Sequence, residues 1–218
     1  GLSLIISFSL GTLLGIFIAW NRGGRLDTFL PPALAFLGAF PYFWLAMLAL
    51  YIFGFLLKGF PLGHAYGSEV SPGFNLSFIL SALYHAILPA FTMIFVSLGG
   101  WMLSMRNTMI STLGADYITF ANAKGLSTKS IMLRYAARNA ILPNLTGFGM
   151  ALGYVLSGAL LTEIIFSYPG LGFLLLQAVK AQDYPLMQGL FMNITFAVLA
   201  ANWFVDIAIL IFDPRTRK

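Results

Sequence analysis

The chain has 218 residues, of which 59% are hydrophobic and only 9% charged, and its net charge is +5. Soluble domains carry about 25% charged residues, so this composition excludes a water-bathed globular protein and puts lipid around most of the surface. Cysteine is absent, which excludes disulfides and thiol chemistry, and the basic residues sit in short loops between apolar runs rather than in a patch suited to nucleic acid.

A spanning helix needs about 20 mostly apolar residues to cross a hydrocarbon core about 30 Å thick. Five segments meet that requirement: Gly1 to Trp20, Thr28 to Leu57, Phe78 to Met105, Asn144 to Ile165 and Leu186 to Phe212. Pro31, Pro32 and Pro41 are expected to shape or kink the second. Glu163 lies near the end of the fourth and Asp206 inside the fifth. The chain opens on Gly1, within an apolar run, so an N-terminal portion with a sixth helix is expected upstream. The predicted class is an all-α polytopic membrane protein with a single membrane domain over residues 1–218.

Ten of the twelve Lys and Arg residues fall in three regions: Arg22 and Arg25; Arg106, Lys124, Lys129, Arg134 and Arg138; and Arg215, Arg217 and Lys218. Lys58 and Lys180 are the two on the opposite side. Positive charge marks cytoplasmic loops, so the visible N-terminus is expected outside and the C-terminus in the cytoplasm. The outer loop from Lys58 to Asn75 is rich in Gly and Pro and reads as irregular. After the turn at Tyr168-Pro169-Gly170, Leu171 to Ala181 can form a short helix at the outer surface.

The long polar interruption between the third and fourth spans, Arg106 to Asn144, is the most informative part of the chain. Asp116 is positioned to cap a helix running to about Lys124, whose charge then complements the helix dipole. Gly125 is placed as a left-handed terminator. Ser127 or Thr128 can cap a second helix through Ile131, Tyr135 and Ala140 to Leu142, on which Arg134 and Arg138 share a face. Two readings of this elbow are open. One is an interfacial hairpin whose arginines touch anionic headgroups. The other is a docking element, in which the small residues Ala121, Ala123 and Gly125 let another protein approach the backbone.

Asp116-Tyr117, Ala121-Asn-Ala-Lys-Gly-Leu-Ser127, Arg134, Arg138-Asn-Ala and Leu142-Pro143 resemble the cytoplasmic EAA loop of ABC importer permeases. The variant is similar to the dipeptide/oligopeptide/nickel class, in its first permease subunit. The resemblance extends through Thr162-Glu163 to Gly172, Asp183-Tyr-Pro185, Gln188-Gly189 and Asp213-Pro-Arg215, with Pro41, Phe43-Trp44 and Leu88-Pro-Ala90 upstream, over about residues 35 to 218. Thr119, Phe120 and Arg138 depart from the wider EAA consensus in ways usual for this class.

The resemblance implies a type I importer-like transmembrane domain without enzymatic activity. It implies cytosolic ABC ATPase partners that carry ATP and magnesium, a second homologous permease subunit, an extracytoplasmic substrate-binding protein, and residence in the cytoplasmic membrane. It implies an ATPase-coupling role for Asp116, Ala121, Ala123, Lys124, Gly125, Leu126, Ser127, Arg134 and Arg138. Peptides are the first substrate class, with oligosaccharides as the alternative and nickel behind both, since His64 and His85 are far apart and lack an acidic cluster.

Within the spans, Asn202 lies one turn before Asp206 and can hydrogen-bond it as an interhelical clamp; a functional role is the other reading of that acid. Glu163 is expected to cap the Tyr168-Pro169 turn or to meet Lys180, with an outer-gate role as the alternative. A secondary transporter would need more coupling charges than Asp206 supplies, and a membrane enzyme would need a nucleophile–base pair or a His-Glu-x-x-His motif, which is absent. The topology is directly testable. Alkaline phosphatase fused within residues 58–75 should be active, and the same enzyme fused after Lys218 should be inactive; activity at Lys218 would overturn the assigned orientation.

Overall fold

A computed structural model describes residues 1–155 and 159–212. All regular structure among them is helical: α1 (Leu2–Trp20), α2 (Arg25–Gly38), α3 (Tyr42–Ala49), α4 (Leu76–Leu113), α5 (Asp116–Ala123), α6 (Thr128–Ser130), α7 (Arg138–Val155), α8 (Leu160–Ile165), α9 (Leu171–Lys180) and α10 (Tyr184–Phe212). Two π-helical stretches extend this set, Leu50–Leu56 after α3 and Ile131–Ala137 between α6 and α7. The tail bearing Asp213, Pro214, Arg215, Arg217 and Lys218 lies outside the described residues.

Among the described residues, three helices are long and apolar enough to cross a membrane: Leu2–Trp20, Leu76–Leu113 and Tyr184–Phe204. The pair Arg25–Gly38 and Tyr42–Leu56, broken around Pro41, makes a fourth if it is one span. The break is where proline chemistry puts it, with Pro41 in extended backbone (φ −56°, ψ 131°) at the start of α3, whereas Pro31 and Pro32 are accommodated inside α2. The described residues thus carry three to four such spans, and the count of five expected from the sequence is not confirmed. Within Asn144 to Ile165, α7 is described to Val155 and α8 from Leu160. α4 runs past Met105 to Leu113, and its 38 residues reach about 57 Å at 1.5 Å per residue, well beyond a bilayer core.

By its contacts the chain forms two compact units. The first holds Phe40–Met93 and Leu152–Val205. Its core gathers Ala46, Ala49, Leu88 and Phe166, flanked by Tyr42, Leu50, Phe60, Ile165 and Tyr168. Tyr42 joins its hydroxyl to Thr162 at 2.6 Å, which satisfies a buried polar pair in this apolar setting. The irregular segment 58–75 is pinned by His64, whose amide donates to the Phe166 carbonyl at 3.0 Å, and by Tyr84, whose hydroxyl donates to the Gly59 carbonyl at 2.7 Å.

The second unit holds Leu2–Ala39 and Ile94–Ala151. Its central contact is between α1 and α4. Ser7, Gly11, Gly15 and Ala19 recur every four residues and are all buried, forming a stripe of small residues. A Cβ at Gly11 would lie 2.6 Å from the Trp101 Cβ, and one at Gly15 would lie 2.7 Å from both the Met102 carbonyl oxygen and the Met105 Cβ. In lipid, where apolar surface gains nothing by leaving its solvent, such close backbone approach is a main source of helix association. Phe8 adds an edge contact to Trp101 and a stacked contact to Phe148, with ring centroids 5.3 Å and 4.3 Å apart.

Substituting either glycine should force the two helices apart. Gly11→Val and Gly15→Val are each expected to cost about 1–3 kcal/mol of overpacking strain and to lower the melting temperature in detergent. Gly100→Ala is the control, because a Cβ there meets nothing within 4 Å. Equal melting temperatures for all three variants would refute the close contact.

Candidate functional site: the glycine-hinged elbow

The elbow is built in the second unit by α5, the turn after it, and the helical run of α6, its π-helical continuation and α7. α5 ends at Ala123, with Lys124 as its C-cap and Gly125 at φ +72°. The Gly125 amide donates to the Asn122 carbonyl at 2.9 Å and the Leu126 amide to the Ala121 carbonyl at 3.3 Å. Those two bonds define a Schellman motif, which satisfies carbonyls that a helix end otherwise leaves bare. A side chain at a left-handed position costs roughly 1–2 kcal/mol, which is why glycine stands there.

Ser127 then takes extended backbone (φ −63°, ψ 144°) and opens α6, as its sequence position predicts, although its side chain makes no capping bond. Asp116 is corrected from cap to first helical residue: extended Ala115 precedes α5, and the Asp116 carboxylate forms no capping hydrogen bond. It still places negative charge in the first turn, the favourable end of the dipole. The second helix does not stop at Leu142 either. It passes through Ile131–Ala137 into α7, with Pro143 inside. The elbow is thus one short helix hinged to a long one.

Beneath the elbow lies a continuous core of Ala19, Met105, Met109, Ile118, Ala121, Ile131, Ala136, Ala137 and Ala140. It joins α5 and the π-helical stretch to the ends of α1 and α4. Ala121, 2% exposed, belongs to this core, so its small side chain allows α5 to pack on its own neighbours rather than offering backbone to a partner. Leu126 packs against the same core as the hydrophobic companion of the Schellman turn.

Ala123, Lys124, Gly125 and Ser127 are exposed, as are Arg134 and Arg138, while Leu126 is half-buried. A Cβ at Gly125 would meet nothing within 4 Å, so the turn faces open space. Two exposed aromatic side chains went unrecognised in the sequence. Tyr117 and Phe120 of α5 are exposed beside the buried Ile118 and Ala121, and the Lys124 ammonium sits 4.6 Å from the centre of the Phe120 ring. Their signal was the spacing 117, 120, 124, one helix face, read against the buried pair 118 and 121.

Two further contacts stiffen the elbow's base. Arg106 of α4 donates from Nε to the Asp27 Oδ1 of α2 at 2.6 Å, and the Gly23 amide donates to Asp27 Oδ2 at 2.9 Å. The Asp27 side chain is 8% exposed, so this is a largely dehydrated ion pair, whose loss of one partner would strand the other. Asn144, buried in α7, accepts from the Ser104 hydroxyl at 2.5 Å and donates to the Trp101 carbonyl at 3.3 Å, tying α7 to α4.

The other sequence-derived candidates lie outside the elbow. Glu163 of α8 neither pairs with Lys180 nor caps the Tyr168 turn with its side chain. Its carboxylate instead accepts from the Phe173 amide at 3.0 Å, capping the first turn of α9, and from the Ala159 amide at 3.2 Å. Gly170 and Gly172 make room for it, since a Cβ at Gly170 would overlap the Glu163 carboxyl. Asn202 and Asp206 are both exposed, and no hydrogen bond joins them among the described residues.

Comparison with known proteins agrees with this architecture. Residues 11–218 match the family described as binding-protein-dependent transport system inner membrane component. The chain is 36% identical to the probable D,D-dipeptide transport system permease protein DdpB of Escherichia coli K12, over 98% of the chain and 67% of that relative. It is 35% identical to a putative peptide permease of Brucella suis, over 98% of the chain and 66% of that relative. It is 32% identical to the di/tripeptide transport system permease protein DppB of Pseudomonas aeruginosa, over 99% of the chain and 68% of that relative. The chain thus spans about two thirds of the length of these relatives. It is a multi-pass membrane protein that belongs to the binding-protein-dependent transport system inner membrane component family.

Proposed function

We propose that this chain is a permease subunit of an ATP-driven ABC importer that moves di- and oligopeptides across the cytoplasmic membrane. The observation that carries the reading is the glycine-hinged elbow around Gly125, set in a chain whose relatives are named as peptide permeases. The permease makes and breaks no bonds in this scheme. ATP and magnesium belong to two cytosolic ATPase subunits, one docked on this elbow and one on a second permease. An extracytoplasmic binding protein delivers the substrate. The full permease has six spans, with its C-terminus in the cytoplasm.

The elbow suits a lever. Its exposed tip of Phe120, Ala123, Lys124, Gly125 and Ser127 offers a docking surface with a cationic and an aromatic component. Its base is not free to yield, because Ala121, Ile131, Ala136 and Ala140 are packed on Met105, Met109 and Ala19. A pull on the tip is therefore passed to α1, α4 and α7 instead of being absorbed within the loop. Alternating access then needs two packings of the helices, with ATP-driven closure of the ATPases selecting between them.

Gly125→Val tests the coupling. A strain of about 1–2 kcal/mol at a left-handed position, with a branched side chain at the docking surface, is expected to lower ATP-driven uptake in proteoliposomes by about tenfold or more. Membrane insertion and recovery of the permease should be unchanged, and wild-type uptake would overturn the role of the elbow. The substrate class has its own test. The cognate binding protein, titrated with di-, tri- and pentapeptides and with an oligosaccharide series, should bind the peptides; oligosaccharide binding alone would replace peptides as the cargo and leave the permease assignment intact.

A further inference from the structure

α2 divides into two sides. At about 100° per residue, Asp27, Leu30, Pro31, Leu34 and Leu37 fall on one half of the helix, and all five are buried or half-buried. Leu30, Leu34 and Leu37 pack there with Ile18 of α1 and Met102 of α4. The other half is exposed from Arg25 to Phe36, with Leu26, Phe29, Pro32 and Ala33 between them. Ala35 and Thr28 complete this half, and the Thr28 hydroxyl is satisfied inside the helix by donating to the Gly24 carbonyl at 3.1 Å. The outer side is thus an apolar strip with a cation at one end. Charge at that end is in excess. The acid beside Arg22 and Arg25 is Asp27, and it is already committed to Arg106 at 2.6 Å and to the Gly23 amide at 2.9 Å. Arg22 and Arg25 are exposed, and neither side chain forms an ion pair or hydrogen bond among the described residues.

Two unpaired guanidinium groups above an apolar strip fit a ligand with an anionic head and a hydrocarbon tail. We propose that Arg22 and Arg25 hold the phosphate of an anionic phospholipid, whose acyl chain lies along Leu26, Phe29 and Ala33. An arginine fork donates to two phosphate oxygens at once, which a zwitterionic lipid also offers but with its charge cancelled by the amine. From Arg25 to Ala33 the helix rises about 12 Å, comparable with the about 15 Å of hydrocarbon in one leaflet, so one helix face meets both head and tail. Trp20, half-buried at the end of α1, is a residue of the kind that gathers at headgroup level. A protein covering this face would have to bring acids to both arginines or bury them unpaired, whereas an anionic leaflet supplies the countercharge by its composition. The leaflet is the cytoplasmic one under the orientation proposed above, and the site does not depend on the cargo. Through Asp27 and Leu34 the same helix is fastened to α4, which leads into the elbow, so a lipid held here bears on the helices beneath it.

The full-length permease, assembled with its partners and stripped of lipid in detergent, can be titrated with dioleoylphosphatidylglycerol or dioleoylphosphatidylcholine and read by native mass spectrometry. The assembly should retain phosphatidylglycerol about tenfold or more tightly than phosphatidylcholine. The double variant Arg22→Gln/Arg25→Gln should lose that preference, Arg25→Lys should keep most of it, and Lys180→Gln of α9 should leave it unchanged. Brominated phosphatidylglycerol gives a reading that leaves the arginines intact if the double variant fails to assemble: it should quench the tryptophan fluorescence of the assembly, and Trp20→Phe should remove part of that quenching. An unaltered preference in the double variant, or quenching that is the same with and without Trp20, would overturn the proposal. So would displacement of the lipid by equimolar glycerol 3-phosphate, which would mark a site for free phosphate. Efficient disulfide crosslinking of Phe29→Cys to cysteines in the second permease would also overturn it, by marking a subunit seam. The binding needs neither ATP nor peptide, so its failure is distinct from failure of the import reading.

Discussion

The close approach of α1 to α4 is the contact on which the unit that carries the elbow depends. A bilayer provides no hydrophobic drive to press two apolar helices together, because lipid tails solvate leucine as well as another helix does. Association then has to come from contact area at short range. Gly11 and Gly15 remove the side chains that would hold the backbones apart, and Trp101, Met102 and Met105 fill the space. Below this crossing, Ala19, Met105 and Met109 lie in one core, and the elbow is seated on it.

That seating explains how a short loop can act mechanically. A Schellman turn at Gly125 sets the direction of the chain, and Ala121 and Leu126 anchor the turn from inside. The π-helical stretch Ile131–Ala137 adds a widened, less regular segment between the turn and α7. Such segments concentrate at functional positions because their hydrogen bonding is easier to rearrange than that of a regular helix. The Arg106–Asp27 pair and the Asn144 bonds to α4 hold the surrounding helices in register. Small motions at the exposed tip therefore act on packed helices.

Polar side chains in the membrane-facing regions divide into two kinds. Glu163 is satisfied: it closes the N-terminus of α9 and receives two backbone amides, with Gly170 and Gly172 shaped around it. Tyr42 and Thr162 satisfy each other. Gln188 and Asn202 of α10 are exposed and form no hydrogen bond among the described residues. Structural polar groups in lipid are closed off by the chain itself, and groups left open are available to water, ligand or another subunit.

The membrane class, the broken helix at Pro41, the elbow and its left-handed glycine were legible in the sequence. Each follows from local chemistry: hydropathy over a span, the missing N–H of proline, and the freedom of glycine at positive φ. The ordered set of motifs over about residues 35 to 218, the run around Lys124-Gly125 among them, carried the resemblance to the family. Other features were decided by distant partners. Ala121 reads in the sequence as a small residue open to a partner, and the structure buries it in one cluster with Ile131. Glu163 had several nearby candidates, and the amide it caps belongs to Phe173, ten residues away. Asp27 gave no local sign of pairing with Arg106, 79 residues on. Nor does composition say whether Asn144 to Ile165 forms one helix or two. Local propensity determines where the chain turns, whereas burial and polar pairing are set by whichever helix lies alongside, and that depends on packing over the whole unit.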